Sequence, residues 1–140
     1  MPNRETISVR DHLTRIPAAV RPIVQAARRT VRAVAPRATE IAYQSRPPRS
    51  SRSMWKLVRY AVGGENVVAI GTFPRYATLF FSRGRELDDG SGLLEGSGRE
   101  FRFVRLRAAA DATRPEVKRL VRSAFAQTRA RMGREERVRR

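Results

Sequence analysis

Positively charged side chains that could hold phosphate groups are concentrated between residues 46 and 59. Five of them fall within 14 residues, beside the aromatic residues Trp55 and Tyr60: Arg46, Arg49, Arg52, Lys56 and Arg59. Guanidinium groups on a loop can grip phosphates, while neighbouring rings can stack on unpaired bases. The alternative interpretation is a solvated loop whose two rings belong to the hydrophobic core.

Two amphipathic segments carry further basic residues without acids to balance them. Arg28 and Arg32 lie within residues 18–35, Arg122 lies within residues 117–132, and neither segment contains Asp or Glu. A charged face opposite an apolar stripe is ordinary for a surface helix, so the missing acids carry the argument. Together with Arg102 and Arg105 near the last predicted strand, these residues predict a surface that binds nucleic acid or another polyanion.

A metal site is the alternative, because four acids occur on a Gly-rich segment: Glu86, Asp88, Asp89 and Glu95. Carboxylate oxygens can hold iron or another hard cation. However, the Asp-Asp-Gly-Ser-Gly run lacks the alternating acids of an EF-hand loop. Acids on such a loop more often pair with neighbouring arginines.

The residues needed for several kinds of enzyme are missing from the sequence. It contains no Cys, which excludes thiolate nucleophiles and Cys-ligated metals, and a single His, which excludes His-pair sites within one chain. His12 therefore suggests a surface or helix-packing residue. Glycines at 90, 92, 96 and 98 precede a strand rather than a helix, so they do not match a nucleotide-binding turn. We expect a non-enzymatic domain without a cofactor.

The overall charge agrees with a polyanion as partner. The chain of 140 residues has 30 Lys and Arg against 13 Asp and Glu, a net charge of +17. All but Lys56 and Lys118 of these cations are Arg, a preference that a GC-rich genome can produce. The excess of positive charge is therefore the informative quantity. No apolar run approaches the length of a membrane span, so the sequence predicts a soluble, cytoplasmic protein.

The periodicity of apolar residues predicts the elements that position these side chains. Helices are expected at 9–16, at 18–35 and from a capping box at Thr113–Glu116 to Gly133, and strands at 40–43, 55–62, 67–73, 76–82 and 101–107. A β-bulge is expected near Phe103–Val104. Without it, Phe101 and Phe103 would point to one face of the sheet and Val104 and Leu106 to the other, so these apolar residues could not share one face. The result is one α+β domain over residues 1–132, followed by a basic, mobile tail at 133–140. Its antiparallel sheet has about five strands, with two N-terminal helices and the C-terminal helix on one face.

This order of elements resembles the YdhG-like family, a bacterial domain of unknown function. The resemblance rests on a helix ending in Ala35-Pro36, on Glu40-Ile41-Ala42-Tyr43, on the meander that ends in Leu79-Phe80-Phe81, and above all on residues 92–107. It implies an α+β fold and offers no catalytic residues to transfer. Some members are described as frataxin-like iron chaperones, but this chain lacks an acidic ridge for iron.

A third possible function is the binding of a small ligand in a pocket between sheet and helices. Such a pocket would be lined by Trp55, Phe73, Phe81 and Phe101.

Overall fold

The computed structural model describes residues 6–43, 56–87 and 90–139, with the backbone alone for Lys56. Six residues of the predicted sites lie outside the described residues: Arg46, Arg49, Arg52, Trp55, Asp88 and Asp89. The helices are α1 (Val9–Arg15), α2 (Arg21–Val34), α3 (Ala109–Ala112) and α4 (Pro115–Arg139), with a short 3₁₀ turn at Gly84–Glu86. The strands are β1 (Thr6–Ile7), β2 (Thr39–Tyr43), β3 (Lys56–Val62), β4 (Glu65–Thr72), β5 (Ala77–Phe81) and β6 (Arg102–Leu106).

The six strands form one sheet in which every neighbouring pair is antiparallel and the spatial order follows the chain order. The predicted α+β class with an antiparallel sheet is therefore confirmed. The additional strand is β1, whose two residues pair with Tyr43 and Ala42 at the edge of β2. A strand of this length has no periodicity that a sequence could reveal.

One face of the sheet is covered by α2 and α4, and the hydrophobic core lies between them. Alternate residues of the central strands, such as Val68, Ile70 and Leu79, are almost completely buried on this face. On α4 the buried residues recur every three or four positions: Val117, Leu120, Val121, Ala124, Phe125 and Thr128. Burial of a side chain such as Phe125 contributes roughly 2–3 kcal/mol, so this stripe fixes α4 on the sheet.

The expected end of the last helix at Gly133 is wrong. Helix α4 continues through Gly133 to Arg139, so residues 133–139 are its last turns and not a separate tail. A glycine inside a helix costs only about 1 kcal/mol, which neighbouring contacts can offset. Here Arg131 pairs with Glu135 one turn later, at 3.2 Å, and with Glu65 on β4.

The expected bulge near Phe103–Val104 is also wrong. Strands β5 and β6 pair without interruption from Ala77 opposite Leu106 to Phe81 opposite Arg102. The regular alternation sends Val104 and Leu106 into the core and leaves Phe103 on the other face, where its ring lies 6.2 Å from that of Phe80. The bulge was expected because every Phe was assigned to the core. The register shift of this sheet occurs instead at Tyr60/Ala61.

The turn between β3 and β4 consists of Gly63 and Gly64, both in the left-handed region with φ of 56° and 81°. Residues other than glycine rarely adopt this backbone conformation. The nearest atoms to a Cβ at Gly63 belong to the flexible end of Met132, which can move aside, and a Cβ at Gly64 would meet open space. Backbone strain therefore decides the effect of a substitution here.

We expect Gly63→Ala and Gly64→Ala each to lower the free energy of unfolding by about 1 kcal/mol, as measured by urea denaturation. Gly90→Ala is the matched control, because a Cβ at Gly90 meets nothing and its φ is not left-handed. A loss at Gly90 equal to that at Gly63 would show that turn strain is not the cause.

Candidate binding surfaces on the two faces of the sheet

Two of the predicted phosphate-binding residues on α2 are held by an acid of the sheet. Arg28 places Nε 2.9 Å from Glu40 Oε2 and Nη2 3.1 Å from Glu40 Oε1, a bidentate pair. Arg32 Nη1 lies 3.5 Å from Glu40 Oε1, and the Tyr60 hydroxyl donates to Glu40 Oε2 at 2.6 Å. The Glu40 side chain is 14% exposed. Arg28 and Arg32 thus connect α2 to the sheet, and their shared carboxylate balances one of their two positive charges.

The protonation states of this cluster follow from its contacts. Burial alone would raise the pKa of Glu40, but hydrogen bonds from Arg28 and Tyr60 and the charges of both arginines outweigh it and hold the pKa below its ordinary value. Burial, reinforced by the hydrogen bond to Glu40, raises the pKa of Tyr60. The cluster is therefore a carboxylate, two cations and a neutral phenol over the physiological pH range.

Arg122 lies on the exposed side of α4, together with Lys118 and Arg129. Spacings of four and seven residues place these three cations along one side of the helix. Arg129 lies over the ring of Phe125 at 5.6 Å, and Arg122 has no ion pair with any residue that the structure describes. This side of α4 is a solvated basic surface.

None of the helices that the structure describes covers the opposite face of the sheet, and the residues that point to this face form rows across the strands. We call it the open face. Each row has one residue from each of the strands β2 to β6. The first row is Ile41, Arg59, Ala69, Phe80 and Phe103, and the second row is Tyr43, Leu57, Gly71, Thr78 and Arg105. The open face thus combines aromatic rings with two of the predicted arginines.

Both arginines of the open face lie on aromatic rings. The guanidinium carbon of Arg59 is 5.3 Å from the ring centre of Tyr43, and that of Arg105 is 5.2 Å from the ring centre of Tyr76. Tyr76 in turn stacks on Phe73, with ring centres 4.7 Å apart. Neither arginine has a carboxylate partner among the described residues, and Arg105 Nε is buried there without an acceptor. Rings hold these cations in place without neutralising them.

A groove of about 660 Å³ crosses the open face between Arg59 and the segment 96–101. Its floor includes Ala69 and Phe80, and its wall includes Phe101, which is 59% exposed. Arg102 holds that wall, since its Nη1 donates to the carbonyl oxygens of Gly98 at 2.6 Å and of Phe101 at 2.8 Å. No residue that the structure places along the groove is acidic.

The described members of the predicted binding set do not form one face. Arg59 and Arg105 lie on the open face, Arg28, Arg32 and Arg122 lie in the helical layer, and Arg102 is engaged by the groove wall. Phe80, Phe103 and Tyr76 are aromatic residues of the open face that the sequence did not assign to a binding surface. The strict alternation of residues 102–106 was the signal, because it sends Phe103 and Arg105 to the side opposite Val104.

Three of the four residues expected to line a pocket between sheet and helices do not meet there, and the fourth, Trp55, lies outside the described residues. Phe81 is fully buried in the core, Phe101 lies on the other side of the sheet, and Phe73 stacks on Tyr76. His12 is completely buried in α1, as expected of a helix-packing residue.

The described acids of the predicted metal site are separated by their contacts. Glu86 accepts from Arg83 at 3.3 Å, while the backbone of Glu95 pairs with that of Phe103 at the outer edge of β6. Within residues 6–43, 56–87 and 90–139, no three His, Asp or Glu residues are grouped so that they could hold a metal ion.

Comparisons with known protein families, with curated proteins and with solved structures find no match for this chain. None of the described helices has the length and apolar character needed to cross a membrane.

Proposed function

We propose that this chain is a YdhG-like, non-enzymatic domain that binds nucleic acid or a similar polyanion through the open face of its sheet. The observation that carries the proposal is that Arg59 and Arg105 have no acidic partner among the described residues. Arg59 lines a groove without a carboxylate in its described lining, and the guanidinium carbon of Arg105 lies 6.0 Å from the ring centre of Phe103 in that lining. Its place of action is the cytoplasm, because a chain without Cys has no need of an oxidising compartment.

The contrast between the two faces supports this choice. On the helical side Glu40 balances one of the two positive charges of Arg28 and Arg32, whereas on the open face Arg59 and Arg105 lie over aromatic rings and have no carboxylate partner among the described residues. A cation beside apolar surface is less screened than one in bulk water, so it attracts a phosphate more strongly. The net charge of +17 adds long-range attraction to any polyanion and speeds its approach.

The basic side of α4 has a secondary part in this proposal. Lys118, Arg122 and Arg129 are exposed, so solvent and salt weaken their individual contacts. They add to the overall attraction, while the open face forms the close contacts.

A comparison of two single substitutions tests the proposal. Arg59→Ala and Arg122→Ala each remove one positive charge, the first from the open face and the second from α4. We expect Arg59→Ala to weaken the binding of a fluorescently labelled oligonucleotide about tenfold at ~50 mM salt and to reduce the slope of log affinity against log salt by about 0.7–0.9. Arg122→Ala should change affinity less than about threefold.

Two results would contradict this assignment. If the unsubstituted protein shows no binding at ~50 mM salt, the domain does not bind nucleic acid. If Arg122→Ala weakens binding as much as Arg59→Ala, the contacts do not lie on the open face. Circular dichroism of both variants controls for loss of the fold.

A further inference from the structure

We propose that the open face selects single-stranded nucleic acid, with unpaired bases stacking on Phe101 and Phe103 while Arg59 and Arg105 contact phosphates. This inference rests on the proposed function and names the ligand class of the same surface. It is carried by the exposed ring of Phe101 and the half-buried ring of Phe103, beside cations that have no carboxylate partner among the described residues.

The exposure of Phe101 is the first argument. Among the described residues only two large apolar side chains are exposed, Phe101 at 59% and Val138 near the end of α4 at 86%. Phe101 lies at a groove wall whose backbone is held in place by two hydrogen bonds from Arg102. An exposed ring on a fixed backbone beside a cavity suits a planar ligand, and a base presents such a plane.

The second argument is the arrangement of rings and cations. Phe80 and Phe103 occupy neighbouring strands in the same row as Arg59, separated from it by the small side chain of Ala69. Three strand spacings separate Arg59 from Phe103, a span of about 14 Å. A single strand of nucleic acid that lies across β3 to β6 can therefore place a phosphate at Arg59, at one end of the row, and bases at Phe103, at the other end.

The third argument distinguishes a single strand from a duplex. The bases of a duplex cover one another's faces, so they cannot stack on Phe101 or Phe103 without being pulled from the helix. A groove of about 660 Å³ has the size of an ordinary ligand site, which receives individual bases rather than a whole duplex. A duplex would be bound only through its phosphates, and the rings of Phe101 and Phe103 would not contribute to its binding.

A second copy of the chain is the main competing occupant of this face. Face-to-face pairing would bring Arg59 and Arg105 of both copies together, and the groove lining that the structure describes contains no carboxylate to balance them. A phosphate chain supplies that charge itself. Charge complementarity therefore favours the nucleic acid.

The test uses the full chain with a labelled oligothymidine and a labelled duplex of equal length, followed by fluorescence anisotropy. We expect Phe101→Ala to weaken binding of the single strand between about fivefold and about 150-fold, the range for loss of one stacked base. Duplex binding and the salt dependence should stay unchanged. Phe101→Trp should retain the affinity, and Phe101→Leu, which is apolar without a ring, should lose it. Val138→Ala is the matched control for removal of an exposed apolar side chain.

The outcomes separate this inference from the proposed function. If Arg59→Ala weakens binding but Phe101→Ala does not, the domain binds polyanions and the stacking proposal is wrong. If neither substitution changes affinity, both proposals fail. Equal affinity for single strand and duplex also overturns the inference. So does a dimer in analytical ultracentrifugation that Phe101→Ala converts to monomer, since the open face would then join two copies of the chain.

Discussion

Glu40→Gln is expected to lower the free energy of unfolding by about 3 kcal/mol, because it leaves two arginines facing each other without their shared carboxylate. Removing one partner of a buried ion pair typically costs about 3–5 kcal/mol. The lower end applies here, since the side chain of Arg28 is 32% exposed and water can partly replace the lost contact. Gln can still accept the hydrogen bond from Tyr60, so the substitution isolates the charge.

Glu100→Gln provides the control for this substitution. Glu100 is exposed, and no ion pair joins it to another described residue. Both variants raise the net charge by one, so both suffer the same increase in general repulsion. Urea denaturation at pH 7 should show a change below about 0.5 kcal/mol for Glu100→Gln. Similar losses in the two variants would mean that overall charge, and not the cluster, causes the destabilisation.

The contribution of Glu40 also has a defined pH dependence. The pKa of Glu40 is lower in the folded protein than in the unfolded chain, where it is about 4.3. The stabilisation is therefore complete above the unfolded pKa and is lost as pH falls through the folded pKa. The difference in unfolding free energy between the unsubstituted protein and Glu40→Gln should be constant from pH 6 to 8 and shrink below about pH 4. A constant difference down to pH 2 would contradict the lowered pKa.

Much of the fold could be predicted from the sequence because its elements have strong local patterns. The apolar stripes of α2 and α4 and the Gly63-Gly64 turn leave few other folds for the chain. The two wrong predictions, a helix end at Gly133 and a bulge near Phe103–Val104, concern places where a local sequence rule competes with tertiary packing. Gly133 is a weak helix breaker, and the contacts of Arg131 with Glu65 and Glu135 offset its cost.

The binding site could be predicted less well, since its charges depend on long-range contacts. Arg28 and Glu40 are 12 residues apart, and nothing in an acid-free helix reveals that an acid of the next strand pairs with its arginines. Arg59 and Arg105 belong to the same predicted set as Arg28, and the register of the sheet places them on a different face. Part of the excess of arginine is thus structural, whereas Arg59, Arg105 and Arg122 have no carboxylate partner among the described residues.

A side chain at Gly84 would affect both the stability of the fold and the shape of the groove. Gly84 is buried, and a Cβ there would overlap the Cβ of Arg102 and lie 2.7 Å from its backbone nitrogen. These atoms belong to β6 and cannot move aside as the end of a flexible side chain can. Arg102 holds the carbonyl groups of Gly98 and Phe101, so a displacement of β6 is passed to the groove wall.

We therefore expect Gly84→Ala to lower the free energy of unfolding by about 2–3 kcal/mol, the usual cost of forcing extra volume into a packed site. At a temperature where the variant remains folded, it should also weaken single-strand binding, because Phe101 loses its fixed position. Gly133→Ala is the control: a Cβ there meets nothing, and alanine should stabilise α4 by up to about 1 kcal/mol. A Gly84→Ala variant with unchanged stability would show that β6 yields easily at Arg102. A destabilised variant with unchanged affinity would instead show that binding does not require a fixed groove wall.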